Sequence, residues 1–174
     1  MCKAVFLDRD GVINVEKDYL YKIEDFEFMD GLFDSLRYLQ ELGYKLFIIT
    51  NQSGIARNYY KIEDFNHLTS WMLSEFEKNG IKISQVELCP HGPNDNCTCR
   101  KPKTEMIENI LKNFSLDLEK SWLIGDKSSD IKCAKNANIK NTIQVKSGHH
   151  FDEKKSEADF ICESIKDIKE IIKE

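Results

Sequence analysis

Three short apolar runs in this chain each stop at a polar cluster, and that repetition limits the possible folds more than any other feature. Ala4-Val5-Phe6-Leu7 ends at Asp8-Arg9-Asp10-Gly11, and Lys45-Leu46-Phe47-Ile48-Ile49-Thr50 ends at Asn51-Gln52-Ser53-Gly54. Trp122-Leu123-Ile124-Gly125 ends at Asp126. Runs this short, with no polar residue between the apolar ones, read as strands buried on both faces. Helical patterns separate them. Strands alternating with helices predict an α/β fold with a parallel sheet covered on both sides. In such sheets ligands bind beyond the carboxyl ends of the strands, so the three polar ends are expected to meet.

The rest of the chain fits that plan. Leu32, Leu36, Leu39 and Leu42 repeat at helical spacing up to Gly43, and residues 62–78 form a second helical stretch before Gly80. Met106, Ile107, Ile110 and Leu111 mark a third helix, and residues 130–137 a short fourth one. Further strands are expected at Val86-Glu87-Leu88, at 142–145 and at Phe160-Ile161, with an amphipathic helix from Ser164 onward. Residues 12–30 are mixed, aromatic and acidic, and too long for a simple connection, which suggests a flap over a site. The expected architecture is therefore one Rossmann-like three-layer domain over residues 1–174, with a small flap at 12–30.

Composition narrows the function classes. A formal net charge of -5 argues against a nonspecific nucleic-acid binder, which needs excess Lys and Arg to displace counterions. No apolar run approaches the roughly 20 residues of a membrane span, and Asp8 comes too early for a secretory signal. The expected address is the cytoplasm, with the six cysteines reduced. No long apolar stripe is left over, so a monomer is expected, with neither nucleic acid nor membrane as partner.

Asp8 and Asp10 lie two residues apart at a strand end. Crowded carboxylates stay ionised only beside a cation, and Asp126 at another strand end completes an all-oxygen set suited to Mg²⁺. A carboxylate can then accept a phosphoryl group while its neighbour moves the protons. Thr50, Asn51, Gln52 and Ser53 supply hydroxyl, amide and backbone donors for phosphoryl oxygens, and Arg100-Lys101-Pro102 adds fixed positive charge.

Four segments occur in order: Asp8-Arg9-Asp10-Gly11-Val12-Ile13-Asn14, Thr50-Asn51-Gln52-Ser53-Gly54-Ile55-Ala56-Arg57, Cys99-Arg100-Lys101-Pro102 and Gly125-Asp126-Lys127-Ser128-Ser129-Asp130. They resemble the motifs of the haloacid dehalogenase superfamily. The likeness is greatest to its D-glycero-D-manno-heptose 1,7-bisphosphate 7-phosphatases and the related histidinol-phosphate phosphatases, and it runs from Lys3 to about Val145. The resemblance implies Asp8 as nucleophile and Asp10 as general acid/base. It implies Mg²⁺ held by the Asp8 carboxylate, the Asp10 main-chain carbonyl and Asp126. Thr50 and Lys101 would steady the phosphoryl group, Asn51, Gln52, Ser53, Arg100 and Lys127 would face substrate, and Asp130 would brace the acidic loop. The implied partner is a small phosphorylated metabolite, and a heptose substrate would place the chain in lipopolysaccharide-precursor metabolism. A phospho-accepting receiver domain is the reading from another class, and paired acids in one motif speak against it.

Cys89, His91, Cys97 and Cys99 form a Cys₃His set suited to tetrahedral, structural Zn²⁺ in a loop over about 89–101. The five residues between His91 and Cys97 make a shorter loop than the heptose enzymes lead one to expect, which keeps histidinol phosphate open as a substrate. Asn58 stands where Gly is usual, and Asn tolerates the left-handed conformation such a turn needs. Cys2, Cys133 and Cys162 read as apolar fillers, and His149 and His150 as surface residues without metal partners.

Overall fold

The computed structural model describes residues 1–173. Its sheet has six strands, all parallel: β1 (Ala4–Leu7), β2 (Lys45–Asn51), β3 (Ile83–Cys89), β4 (Trp122–Gly125), β5 (Asn141–Val145) and β6 (Phe160–Cys162). They lie in the order β3-β2-β1-β4-β5-β6. Four α-helices connect them: α1 (Leu32–Glu41), α2 (Ile62–Lys78), α3 (Glu105–Asn113) and α4 (Ser128–Asn136).

Side chains alternate across a strand, and here the alternation sorts the core into two layers. Val5, Leu7, Leu46, Ile48 and Ile124 point to the face covered by Leu36 and Leu39 of α1 and by Met72 and Phe76 of α2. Ala4, Phe6, Phe47, Ile49 and Leu123 point to the opposite face, against Met106 and Ile110 of α3 and Ala134 of α4. Both faces are dry, as the unbroken apolar runs anticipate. The result is the three-layer α/β arrangement.

Register then places the site. Leu7 pairs with Ile48 on one side and Ile124 on the other, so β1, β2 and β4 run out together at one edge. The strand order reverses direction beside β1, where ligand clefts of open α/β sheets form. Farther out, Asn51 pairs with Cys89, which sets the start of the cysteine loop directly beside the end of β2.

Three elements differ from the sequence pattern. β3 starts at Ile83, three residues before the Val86 expected from apolar content, because Gln85 and Glu87 interrupt the pattern on a half-exposed edge strand. α4 starts at Ser128, where Lys127 N donates to the Asp130 carboxylate at 3.0 Å and closes the first turn. The tail is not an α-helix but a 3₁₀ segment over Ile165–Glu170. Ile165 and Ile168 both enter the core, and a three-residue spacing on one face matches the 3₁₀ period.

Candidate active site

Asp8 leaves β1 with its backbone N–H bonded to Ile124 O at 3.0 Å, so the chain is still in register with β4 when the carboxylate enters the cleft. Asp8, Asp126 and Asp130 bring carboxylate oxygens within 4.8 Å of one another, and all three residues are buried. One protein cation answers them. Lys101 Nζ lies 2.8 Å from Asp8 Oδ1 and 2.7 Å from Asp130 Oδ1, and also donates to Ile49 O at 2.9 Å. Burial and the Asp130 charge raise Asp8 well above the usual carboxylate range, against the opposing pull of Lys101. Burial alone would lower Lys101, but Asp130 and Asp8 outweigh it and hold the ammonium protonated.

The balance is incomplete at Asp126. Its Oδ2 accepts from the backbone N of His149 and contacts His149 Nδ1, both at 2.7 Å. Its Oδ1 is buried with no hydrogen-bond partner. A buried carboxylate oxygen left unpartnered beside a second acidic group is costly, and a hard cation between Asp8 and Asp126 removes that cost. The donor set therefore fits Mg²⁺.

Asp10 sits in a different environment. Its Oδ1 accepts from Arg9 Nη2 and Asn14 Nδ2, each at 3.0 Å, and its Oδ2 accepts from Gln52 Nε2 at 3.1 Å. Burial works against ionisation, but the Arg9 charge and these bonds win and hold Asp10 below its ordinary value. Two carboxylates two residues apart are thus pushed in opposite directions by the protein alone; a cation at Asp8 would favour its ionised form, and an anionic phosphate beside Asp10 would favour its protonated one.

The cavity above these groups measures about 270 Å³. Asp8, Asp10, Asn51, Gln52, Ser53, Arg100, Lys101 and Lys127 all line it, so the residues expected at a phosphate site are brought together. Thr50 lies outside that wall and is fully buried, its hydroxyl oxygen accepting from Gln52 Nε2 at 2.8 Å. Asn51 and Lys101 clip the two sides: Lys101 N donates to Asn51 Oδ1 at 3.1 Å, and Asn51 Nδ2 to Lys101 O at 3.4 Å.

Residues 12–30 supply another wall, through Glu16, Lys17, Asp18, Tyr19 and Leu20. This segment is pinned by stacking: Tyr21 on Tyr60 at 5.2 Å, Tyr19 edge-on to Tyr59 at 4.7 Å, and Phe26 against Trp71 at 5.3 Å. Asn58 adopts φ 58°, the left-handed turn that its amide side chain tolerates.

Two expectations are corrected. His149 is not a bystander on the surface: Gly148 lets its loop approach Asp126 so closely that a Cβ at 148 would lie 2.1 Å from Asp126 Oδ2. The doublet has no apolar or metal-like pattern around it in sequence, so no signal announced the contact. Cys2 is exposed rather than a filler, whereas Cys133 is buried and Cys162 half-buried. Arg9 is a residue whose importance the sequence reading passed over. It is 1% exposed, and its position between two acids at the end of a buried strand was the available signal.

Beside this centre, ligand atoms of Cys89, His91, Cys97 and Cys99 lie within 4.8 Å of one another. Cys89 Sγ is 3.6 Å from His91 Nδ1 and 3.8 Å from Cys97 Sγ, and His91 Nδ1 is 3.3 Å from Cys99 Sγ. The Cys89 and Cys99 sulfurs are in disulfide contact. A disulfide there and a four-ligand metal site use the same sulfurs and exclude one another.

A HAD-hydrolase-like family model matches residues 98–168. The D-glycero-α-D-manno-heptose-1,7-bisphosphate 7-phosphatase of Campylobacter jejuni is 50% identical over 170 residues, covering 98% of this chain and 94% of that protein. The chain belongs to the heptose-1,7-bisphosphate 7-phosphatase family. The Helicobacter pylori family member, named for the β-anomer, is 47% identical over 142 residues, 81% of this chain and 82% of its own. In three dimensions the family likeness extends to D,D-heptose 1,7-bisphosphate phosphatase from B. bronchiseptica, solved with magnesium and phosphate. It has a TM-score of 0.83, 27% identity and 97% coverage of both chains. All three of these proteins are named as heptose bisphosphate phosphatases, and none as a histidinol-phosphate phosphatase.

Proposed function

We propose that this chain removes the 7-phosphate of D-glycero-D-manno-heptose 1,7-bisphosphate through a phosphorylated Asp8. The observation that carries the chemistry is the buried Asp8–Asp126–Asp130 cluster, which holds one lysine and one unpartnered carboxylate oxygen. The heptose comes from the family likeness along nearly the whole chain. Asp8, the Asp10 carbonyl and Asp126 would hold Mg²⁺, which when bound neutralises charge between the phosphate and the carboxylates.

The chain's own groups do the rest. An Asp8 oxygen attacks phosphorus, the ester P–O bond breaks, and the departing oxygen takes a proton from Asp10. Water then attacks the acyl phosphate, Asp10 takes its proton, and Asp8 is released as carboxylate. Lys101 offsets charge at Asp8 throughout. Thr50 accepts from Gln52 and so keeps its own O–H to donate to a phosphoryl oxygen. Asn51, Ser53, Arg100 and Lys127 contribute cavity donors for the substrate, while Gln52, whose N–H groups bond Asp10, Thr50 and Cys89, shapes the wall and holds Asp10. We assign Zn²⁺ to Cys89, His91, Cys97 and Cys99, because four ligand atoms converge where a disulfide needs only two.

Residues 1–174 act in this scheme as one domain, with 12–30 as flap and 89–101 as metal loop. The chain is proposed to act as a monomer. A cytoplasmic setting would keep the metal-binding thiols reduced. The test is phosphate release from the α- and β-anomers of the bisphosphate, from histidinol phosphate and from simple esters, with and without Mg²⁺. Preference for either heptose anomer with Mg²⁺ supports the assignment. Preference for histidinol phosphate would overturn the substrate, and no release from any ester would overturn the chemistry.

A further inference from the structure

Among the described residues Arg9 is the largest fully buried side chain, yet it is charged and lies at the carboxyl end of the sheet. A guanidinium in such a place is retained only if its hydrogen bonds are specific. Its Nη2 has two N–H bonds, and the two shortest contacts use both: Asp10 Oδ1 at 3.0 Å and the Leu20 carbonyl at 3.0 Å. Gln52 Oε1 follows at 3.5 Å. Nε is buried with no partner, so the side chain gives up one of its donors to bring Nη2 between these groups. The Phe65 ring lies 5.9 Å from the guanidinium carbon and holds its other side.

We propose that Arg9 is a positioning residue that fixes the Asp10 carboxylate and the middle of the flap, at Leu20, with a single nitrogen. This rests on the reading of Asp10 as general acid/base. Oδ1 of Asp10 is occupied twice, by Arg9 and Asn14, whereas Oδ2 receives only Gln52. The less occupied Oδ2 is therefore the oxygen that exchanges the proton with the ester or with water. Arg9 and Asn14 together set which oxygen that is, and Arg9 alone ties it to the flap. Leu20 and Asp10 both line the cavity, so one displacement of Arg9 would loosen a cavity wall and the proton donor together.

The test compares wild type, Arg9→Lys and Arg9→Gln on two esters, p-nitrophenyl phosphate and glycerol phosphate. The aryl group leaves without a proton and the alkoxide needs one. Single-turnover rates of ester cleavage are measured, so that the later water step does not mask the first. The expected loss in Arg9→Gln is about 10²-fold on the alkyl ester and less than about fivefold on the aryl ester, with KM little changed. Arg9→Lys keeps the buried charge and the fold but cannot place two donors as the guanidinium does, so the same imbalance is expected at about tenfold. Amide hydrogen exchange around Leu20 should quicken in both variants. Equal losses on the two esters, or an unchanged alkyl-to-aryl ratio in a folded Arg9→Lys, would overturn the acid-positioning role. Unchanged exchange at the flap would overturn the tether. If wild type releases no phosphate from either ester, the fault lies with the proposed function instead.

Discussion

The acidic centre and the cysteine loop are neighbours at the carboxyl end of the sheet, yet they are assembled in opposite ways. The acidic groups arrive on separate strands and meet because β1 is in register with β4. Residues 118 positions apart are brought together by the hydrogen-bond ladder alone (Asp8 to Asp126). The cysteine loop is local. Its four ligand residues span Cys89 to Cys99, and of them only Cys89 lies on a strand, so the other three reach it through loop backbone. A site built by the sheet tolerates the loss of a ligand because the backbone stays put. A site built by its ligands does not.

The largest effect expected from this difference is at Asp8. Asp8→Asn should lower turnover about 10⁴-fold or more while leaving the fold intact. It should also raise the melting temperature of the metal-free protein at pH 7. Burial and Asp130 raise Asp8 in the folded state, so ionising it costs stability as pH rises, and an amide removes that cost. The advantage of the variant should therefore shrink as pH falls and Asp8 regains its proton. Thermal melts across pH check the sign, and a lower melting temperature at pH 7 would contradict it.

Gly148→Ala comes next. The new methyl would sit 2.1 Å from Asp126 Oδ2, and displacing that buried carboxylate should cost about 1–3 kcal/mol and weaken Mg²⁺ activation. A Mg²⁺ titration of activity reads it directly. For the loop, Cys97→Ser should lower zinc content and melting temperature more than it lowers the rate on a small ester. Elemental analysis of wild type finding no zinc, with two fewer titratable thiols than six cysteines, would assign Cys89 and Cys99 to a disulfide instead. The smallest effect concerns thiol labelling at pH 8. Cys133 is buried and its thiol pushed up to about 12, so it should stay unlabelled in the native protein while exposed Cys2 reacts.

The difference between the two regions also explains what could be read from the sequence. Asp8, Asp10 and Asp126 were legible because unbroken apolar strands point straight at them. The Cys₃His spacing was legible because its ligands are close in the chain. His149 was not, since its contact with Asp126 depends on how the segment after β5 folds back at Gly148. Arg9 was visible as a letter but not as a role, because a charge beside two acids looks like a solvated turn until burial is known. The 3₁₀ form of the tail helix was not legible, because Ile165, Ile168 and Ile172 satisfy both a three- and a four-residue spacing.

The pairing of Asn51 with Cys89 has a consequence for how this scaffold can diversify. Gln52 N also donates to Cys89 O at 2.8 Å, so the near end of the loop is welded to the strand that carries the phosphate donors. The far end is anchored through Lys101 on Asn51. Between those anchors lie residues 92–96, and Pro93 among them reaches the cavity wall. A change in the length of that segment would reshape the wall while Asn51 and Lys101 stay clipped to each other.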